Sequence, residues 1–281
     1  MRSAIVLTAA TVWVIAAPAW AHHEAIYGSQ SALVLSGERY VTVQVFSRQT
    51  GPKDARVQET TTVLSGGLSS PRLPVSLSVV VPLSVIAEGK RGTRTGLENA
   101  VVAARYRLDA PAIARGLHVQ EGYLLAVGGV ELPTGTIDYD FGQGAPAIVA
   151  GGQFGLERRP LSVIAYGIVH RYAERHDVRD SGNTFVGGGL AWTPIDTAEG
   201  HVLSLQFGVS REIVSRETVQ GAAMNDTGGW AVVAHPTVTW STNERLLFFA
   251  SMSVPMAHQW RNPAEQERFR IGLGAILALG R

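Results

Sequence analysis

Apolar and polar residues alternate along most of the chain with a period of two. In the segment ERFRIGLGAILALG, the apolar side chains from Phe269 to Leu279 fall on one face, whereas Arg268 and Arg270 begin the other face. The segment VLSLQFGVS at 202–210 shows the same alternation. Successive side chains of a β-strand point to opposite faces, whereas a helix needs apolar residues at steps of three and four. The pattern therefore predicts β-strands.

Similar segments recur along the chain, at about 38–50, 55–70, 73–87, 95–108, 117–132, 145–157, 160–176, 183–194, 201–214, 228–242, 244–257 and 267–279. Tight joins at 69–72, 157–160 and 241–245 roughly alternate with longer polar joins at 88–96, 133–144, 216–229 and 258–267. Membrane barrels have short periplasmic turns and longer external loops. The predicted fold is all-β, an antiparallel transmembrane β-barrel of about 12 strands. An even number of strands places both termini in the periplasm.

A soluble β-sandwich is the alternative, because it shows the same alternation. Three features favour the barrel. The apolar face runs over whole strands, about the 9–11 residues that a tilted strand needs to cross a bilayer. The other face is rich in Gly, Ser and Thr, which suits a narrow lumen. Aromatic rings prefer the membrane interface, and four tryptophans stand near the strand ends, namely Trp192, Trp230, Trp240 and Trp260.

Two features depart from a regular barrel. The chain ends Leu279-Gly280-Arg281, whereas outer-membrane barrels commonly end in an aromatic residue that aids assembly. Proline cannot donate to a ladder of hydrogen bonds, and a closed barrel has no edge strand. Each proline within a predicted strand therefore implies a bulge, a shifted boundary or an unpaired position, at Pro82, Pro236 and Pro255.

The first residues have the layout of a secretory signal peptide. Arg2 precedes an apolar run at 4–17, and a small-residue site follows at Ala19-Trp20-Ala21. The run is short for a membrane-spanning helix, which needs about 20 apolar residues. We therefore predict a signal peptide at 1–21, a periplasmic N-terminal segment at 22–37 and an outer-membrane barrel at 38–281.

Processing after Ala21 would make His22 the first residue of the mature protein. We expect N-terminal sequencing of the exported protein to begin at His22, because the small residues at Ala19 and Ala21 match the preference of the signal peptidase. A membrane-bound form that retains Met1 would contradict this prediction.

Composition excludes several classes of function. The net charge of +1 gives no basic footprint for a nucleic-acid partner. The chain has no cysteine, which removes disulfides, thiolate metal sites and cysteine nucleophiles. The expected partners are outer-membrane lipid, a small-molecule solute and the barrel-assembly machinery, with no nucleic acid.

The residues give little sign of a metal site. A chain that begins His22-His23 could bind copper, but a copper centre needs a third ligand held close by. The remaining histidines form no His-x-His or His-x3-His pair, and they are His118, His170, His176, His201, His235 and His258. We expect no metal site, although loose metal capture by His22, His23 and Glu24 stays open.

Enzyme signatures are also missing from the sequence. It contains no Gly-x-Ser-x-Gly or His-Glu-x-x-His motif. Ser204, Ser210 and His201 share one region, but no acidic partner accompanies them. We expect no enzymatic activity and no cofactor.

The arginines are the main candidates for lumen-lining residues, as two pairs that share a strand face, Arg105 with Arg107 and Arg268 with Arg270. A charge on the lipid face costs about 2–4 kcal/mol at the midplane, so these side chains should point into the lumen or lie near an interface. Alternatively, they brace the lumen in ion pairs, for which the candidate carboxylates are Glu98, Glu121 and Glu212.

The sequence also resembles a known family. The stretches concerned are TGLENAVVAARYRL at 95–108, LLAVGGVELPTGT at 124–136, NTFVGGGLAWTP at 183–194 and HPTVTWSTNERLLFFASMSVPM at 235–256. They resemble the outer-membrane proteins of the MetA-pathway phenol-degradation family, whose shared features correspond to Tyr106-Arg107-Leu108, Leu132-Pro133-Thr134-Gly135, Thr193-Pro194 and Thr242-Asn243. The resemblance covers about 95–279 and implies an outer-membrane β-barrel that transports small, often aromatic or hydrophobic, compounds.

The leading interpretation is therefore a porin-like transporter or channel for a small solute in the outer membrane of a Gram-negative cell. A structural or interaction barrel without transport is one alternative. A periplasmic metal-binding protein that uses the N-terminal histidine pair is another. The sequence does not specify the solute or the direction of its passage.

Overall fold

The computed structural model describes residues 39–52, 56–70, 72–88, 92–135, 144–242, 245–263 and 266–280. These residues form one closed, antiparallel β-barrel, which confirms the predicted fold. The predicted signal peptide at 1–21, the N-terminal segment at 22–37 and the copper candidates His22 and His23 lie outside the described residues. Among the described residues, no helix is both long and apolar enough to cross a membrane.

The barrel strands follow the predicted segments closely. They are β1 (Arg39–Thr50), β2 (Val57–Ser69), β3 (Val75–Glu88), β4 (Gly92–Leu97), β5 (Ala100–Asp109), β6 (Glu121–Leu132), β7 (Ala147–Arg158), β8 (Leu161–Tyr172), β10 (Asn183–Asp196), β11 (Val202–Val214), β14 (Gly229–Ser241), β15 (Leu246–Trp260) and β16 (Glu267–Gly280). Each strand pairs with the next along the barrel, and β1 also pairs with β16, which closes the sheet. Because β4 and β5 both pair with β3, these thirteen strands occupy twelve positions.

The joins carry the remaining elements. A short helix, α1 (Pro111–Gly116), lies in the join between β5 and β6 and explains why this periplasmic join is long. Three two-residue strands, β9 (Val178–Arg179), β12 (Thr218–Val219) and β13 (Ala222–Ala223), form a small separate sheet. This sheet joins the external loop at 173–182 to the external loop at 215–228.

The join at 88–96 differs from the prediction of a long loop. The six residues of β4 pair with β3 from Leu83 to Glu88, so the two strands continue as a hairpin and only 89–91 join them. The stretch is polar and contains Gly92 and Gly96, which are features typical of a loop. Polar residues are compatible with a strand that extends beyond the membrane, where both faces meet water.

The prolines lie at irregular points of the ladders, as the sequence predicted. Pro82 pairs with Val63 on one side, and on the other side it faces the break between β4 and β5. The amide of Glu98 in that break donates to the carbonyl oxygen of Pro82 at 3.1 Å. The proline therefore keeps its acceptor in use although it has no amide to donate.

The other two prolines are accommodated in a similar way. Pro236 pairs with Phe207 on β11, while the β14–β15 ladder passes from Ala234 to Thr237 without a pair at the proline. Pro255 lies at the register shift of the β14–β15 ladder and beyond Ser253, where the β15–β16 ladder ends. The three prolines are compatible with a closed barrel, because each lies where a ladder of hydrogen bonds is interrupted.

The outer wall of the barrel is apolar. Ile271, Leu273 and Leu277 of β16 face outward and are exposed, as predicted, and outward-facing residues of the other strands continue this surface. Trp192 and Trp240 stand on this surface near the turn end of their strands. An apolar outer wall with aromatic residues at its border is the surface that a barrel presents to lipid. The chain is therefore an outer-membrane protein.

Candidate functional site

The lumen is the enclosed space of the barrel, and alternate residues of every strand point into it. The strands carry polar side chains at many of these inward positions, where they are buried inside the barrel. The polar lining includes Thr42, Gln44, Thr61, Ser65, Ser78, Ser84, Gln153, Gln206, Thr237 and Thr239. Several of them bond to each other between neighbouring strands, for example Thr42 to Ser65 at 2.5 Å. The lining thus braces the wall as well as providing polar groups.

A charged cluster occupies the external end of the lumen. Arg48 and Glu59 stand opposite each other on β1 and β2, and Nε of Arg48 donates to Oε2 of Glu59 at 2.8 Å. Arg48 also pairs in register with Arg270 of β16, whose guanidinium donates to Glu267. Glu212 of β11 lies within electrostatic range of Arg48, Arg270 and Glu267. We call these five residues the external charged cluster.

A second polar group lies at the same end of the barrel around Glu131 of β6. Nε2 of His170 is 2.9 Å from Oε2 of this carboxylate. The other carboxylate oxygen accepts from Nδ2 of Asn99 at 2.8 Å and from the hydroxyl of Tyr172 at 3.1 Å. Glu131 therefore links β6 to β8 and to the break between β4 and β5.

His235 of β14 lies between two serines inside the barrel. Its Nε2 is 2.8 Å from Oγ of Ser210, and its Nδ1 is 3.1 Å from Oγ of Ser253. A serine nucleophile needs a base that is itself oriented by a third group, commonly a carboxylate. Here a second serine occupies the position of that third group. His201, the histidine that the sequence analysis considered, lies in the turn at 197–201.

Apolar side chains fill part of the lumen beneath the charged end. They form one cluster of buried residues from β1 through β10, composed of Phe46, Val63, Val80, Val101, Ala103, Tyr123, Leu125, Val127, Val149, Ile164, Tyr166, Ile168 and Phe185. The interior of a water-filled porin is polar. An apolar cluster at this place narrows the lumen and makes part of its wall hydrophobic.

Five aromatic rings of the lumen each lie on a glycine directly opposite on the neighbouring strand. The pairs are Tyr40 with Gly67, Tyr123 with Gly155, Tyr166 with Gly187, Phe46 with Gly272 and Phe249 with Gly274. A Cβ atom at any of these glycines would come within 2.4–2.7 Å of the ring or its hydroxyl. The absence of a side chain therefore lets each ring lie against the wall instead of crossing the lumen.

A small cavity lies against the wall where β10 and β11 meet. Gly189 and Gly208 face each other in register there, so the wall has no side chains at this point. The other inward-facing residues of the lining are Ser162, Ile164, Tyr166, Ala191 and Gln206. The cavity is lined by an aromatic ring, an aliphatic side chain and an amide, and its volume is about that of one water molecule.

The structure places the four arginine candidates in different parts of the barrel. Arg105 and Arg270 are each only 1% exposed and point into the lumen. Arg105 donates from Nη1 to Oγ of Ser78 at 3.0 Å. Arg107 lies at the periplasmic end, and Arg268 lies at the external rim, where its Nε donates to the carbonyl oxygen of Gly51 at 2.9 Å.

Arg107 shows the bracing role that the sequence left open. Its guanidinium lies 4.7 Å from the centre of the Tyr123 ring. It also pairs with Asp109 at 2.9 Å and with Glu121 at 3.5 Å. Two carboxylates and an aromatic face hold this side chain at the rim.

The sequence did not identify the carboxylates and histidines that contact each other in the lumen. Arg270 donates to Glu267, which is three residues away, and the partner of His170 is Glu131. Among these four residues, the sequence predicted an inward or interfacial position only for Arg270. It gave no information on which residues of distant strands share a level, because that depends on the register around the barrel.

Comparisons with known proteins support the fold. Neither protein families nor curated proteins gave a match to this chain. Among solved structures, an outer-membrane channel from Pseudomonas putida F1 is similar, with 14% identity and a TM-score of 0.69, over 87% of this chain and 96% of that chain. The NanC porin is also similar, with 8% identity and a TM-score of 0.52, over 84% of this chain and 98% of that chain. At these identities the likeness shows the fold alone.

Proposed function

We propose that this protein is an outer-membrane channel for small solutes that carry an apolar part, aromatic compounds included. The apolar cluster inside the lumen is the observation that carries this proposal. A solute on its way through the barrel passes the external charged cluster, where Phe185 lies beside Glu212, and then a wall that contains Phe46 and Tyr166. Hydrophobic constrictions oppose the passage of water and ions by dewetting. Such a wall favours a small solute that can contact aromatic and aliphatic side chains.

Two further observations support the proposal. The resemblance of 95–279 to the MetA-pathway phenol-degradation family indicates the same kind of solute. The solved structure with a TM-score of 0.69 is described as an outer-membrane channel.

A barrel without transport is the second candidate function, and the packing of the lumen favours it. Charged residues such as Arg105, Glu212 and Arg270 are almost fully enclosed. Twelve strands leave an interior that side chains can fill. A conductance measurement on the purified barrel separates the two candidates.

Removal of the Phe46 ring tests the channel. Phe46 lies inside the barrel against Gly272. Alanine at position 46 therefore leaves a space, because Gly272 has no side chain that could fill it. We expect Phe46→Ala to raise single-channel conductance, and liposome swelling in a small aromatic solute, by about two-fold or more, because it widens a hydrophobic constriction.

The matched control is Phe207→Ala, which removes the same ring from the lipid-facing wall. We expect this variant to conduct like the wild type. Heat-modifiable migration on a gel verifies that both variants are folded. A folded wild-type barrel that passes neither ions nor solutes, together with an inactive Phe46→Ala variant, contradicts the proposed function and favours the barrel without transport.

A further inference from the structure

The external charged cluster contains more acidic than basic side chains among the described residues. It contains three carboxylates, from Glu59, Glu212 and Glu267, and two guanidinium groups, from Arg48 and Arg270. Arg48 forms its hydrogen bonds with Glu59, and Arg270 donates to Glu267. Each arginine thus has a carboxylate beside it, and Glu212 is the third carboxylate of the group.

Glu212 is enclosed in the barrel with an acceptor atom that is not used. The side chain is 2% exposed, and its Oε1 accepts no hydrogen bond from the residues that the structure describes. A buried carboxylate without a donor is costly unless a positive charge or a hydrogen-bond donor meets it. An unused carboxylate oxygen inside a lumen therefore provides a place for a cation.

The neighbours of Glu212 fit this role. Glu212 pairs in register with Phe185 on β10 and with Ala231 on β14, and none of these side chains donates a hydrogen bond. Because one carboxylate is unmatched, the charge that it can compensate corresponds to a monovalent cation.

We propose that Glu212 is the centre of a binding site for a small monovalent cation and makes the lumen prefer cations over anions. This inference rests on the proposed channel function and adds the charge class of the ions that pass. Arg48 and Arg270 attract anions more weakly than two isolated guanidinium groups would, because a carboxylate at close range neutralises each of them. A ring of acidic side chains selects cations in other channels by the same physics.

Reversal potentials in planar bilayers test the inference, with potassium chloride at unequal concentrations on the two sides. The wild type should pass K⁺ in preference to Cl⁻. In Glu212→Gln, which keeps the size of the side chain and removes its charge, the cation-to-anion permeability ratio should fall by about three-fold or more. Glu212→Asp keeps the charge and should retain a ratio within about two-fold of the wild type.

Two controls separate charge from shape. Glu199→Gln makes the same chemical change in the exposed periplasmic turn at 197–201 and should leave the ratio unchanged. Arg270→Gln removes a positive charge from the external charged cluster and should raise the ratio. If Glu212→Gln and Arg270→Gln shift the ratio in the same direction, the effect comes from the shape of the lumen and the inference is overturned.

The remaining outcomes are also decisive. A conducting barrel without cation preference, or one whose preference is unchanged in Glu212→Gln, overturns the cation site and leaves the channel function intact. A folded barrel that conducts no ion overturns both the channel function and the cation site.

Discussion

Leu273→Arg is expected to lower the free energy of unfolding in lipid vesicles by about 2–4 kcal/mol, because it places a charge on the lipid-facing wall near the bilayer midplane. Leu273 is 57% exposed and lies midway along β16, between Val45 of β1 and Ala250 of β15. Neither neighbour offers a counter-charge. Denaturant titration of the barrel folded into vesicles measures the change.

The matched control is Leu117→Arg. Leu117 is similarly exposed, at 54%, but it follows α1 in the periplasmic join, where water can solvate a guanidinium. We expect a change within about 0.5 kcal/mol, as for an ordinary surface substitution. Equal stability of Leu273→Arg and the wild type would show that the assigned lipid face is wrong and that the apolar wall packs against protein.

Gly67→Ala is expected to lower the free energy of unfolding by about 1–3 kcal/mol, since it overpacks the lumen. A Cβ atom at Gly67 would lie 2.4 Å from the ring of Tyr40 and 2.7 Å from the carbonyl oxygen of Leu77. The ring could turn into the lumen, but the carbonyl belongs to the wall and can move only with its strand. The same denaturant titration measures the loss.

Gly66→Ala provides the control within the same strand. A Cβ atom at Gly66 faces the outer wall and lies 3.6 Å from its nearest neighbour, the carbonyl oxygen of Tyr40, which is an ordinary contact. We expect a change within about 0.5 kcal/mol. If Gly66→Ala and Gly67→Ala cost the same, the loss reflects the glycine backbone and not the contact with Tyr40.

The sequence predicted the fold well because the barrel repeats one simple rule. A period of two decides which face each residue occupies, so the outward positions of Leu273 and Leu277 follow from it directly. The cost of a charge in lipid predicted that Arg105 and Arg270 point into the lumen or lie near an interface. The interruption of the ladders at the prolines was also predicted, since Pro82 cannot donate a hydrogen bond in any register.

The contacts within the lumen could not be predicted in the same way. Periodicity locates a residue on a face but does not give its level around the barrel, which depends on the stagger of all the strands. Glu131 and His170 are 39 residues apart in sequence. Their contact depends on the register of two intervening ladders, β6–β7 and β7–β8. The five pairs of aromatic residues with glycines are cross-strand contacts of the same kind.

Elements outside the membrane escaped the sequence analysis for a different reason. Two-residue strands such as β9 and β12 are too short to show a period, and α1 is a single short turn of helix within a join. Most of β4 falls within the predicted loop at 88–96, because its residues from Gly92 to Gly96 are small or polar. Alternation identifies a strand only where one face is buried or lies in lipid.

The small sheet of β9, β12 and β13 unites two external loops that are distant in sequence. Thr218 pairs with Arg179 on one side and with Ala223 on the other, and the amide of Gln220 donates to the carbonyl oxygen of Asp177 at 2.6 Å. To an antibody at the cell surface, the loops at 173–182 and 215–228 therefore present one conformational epitope. Neither loop, as a synthetic peptide, would reproduce that epitope by itself.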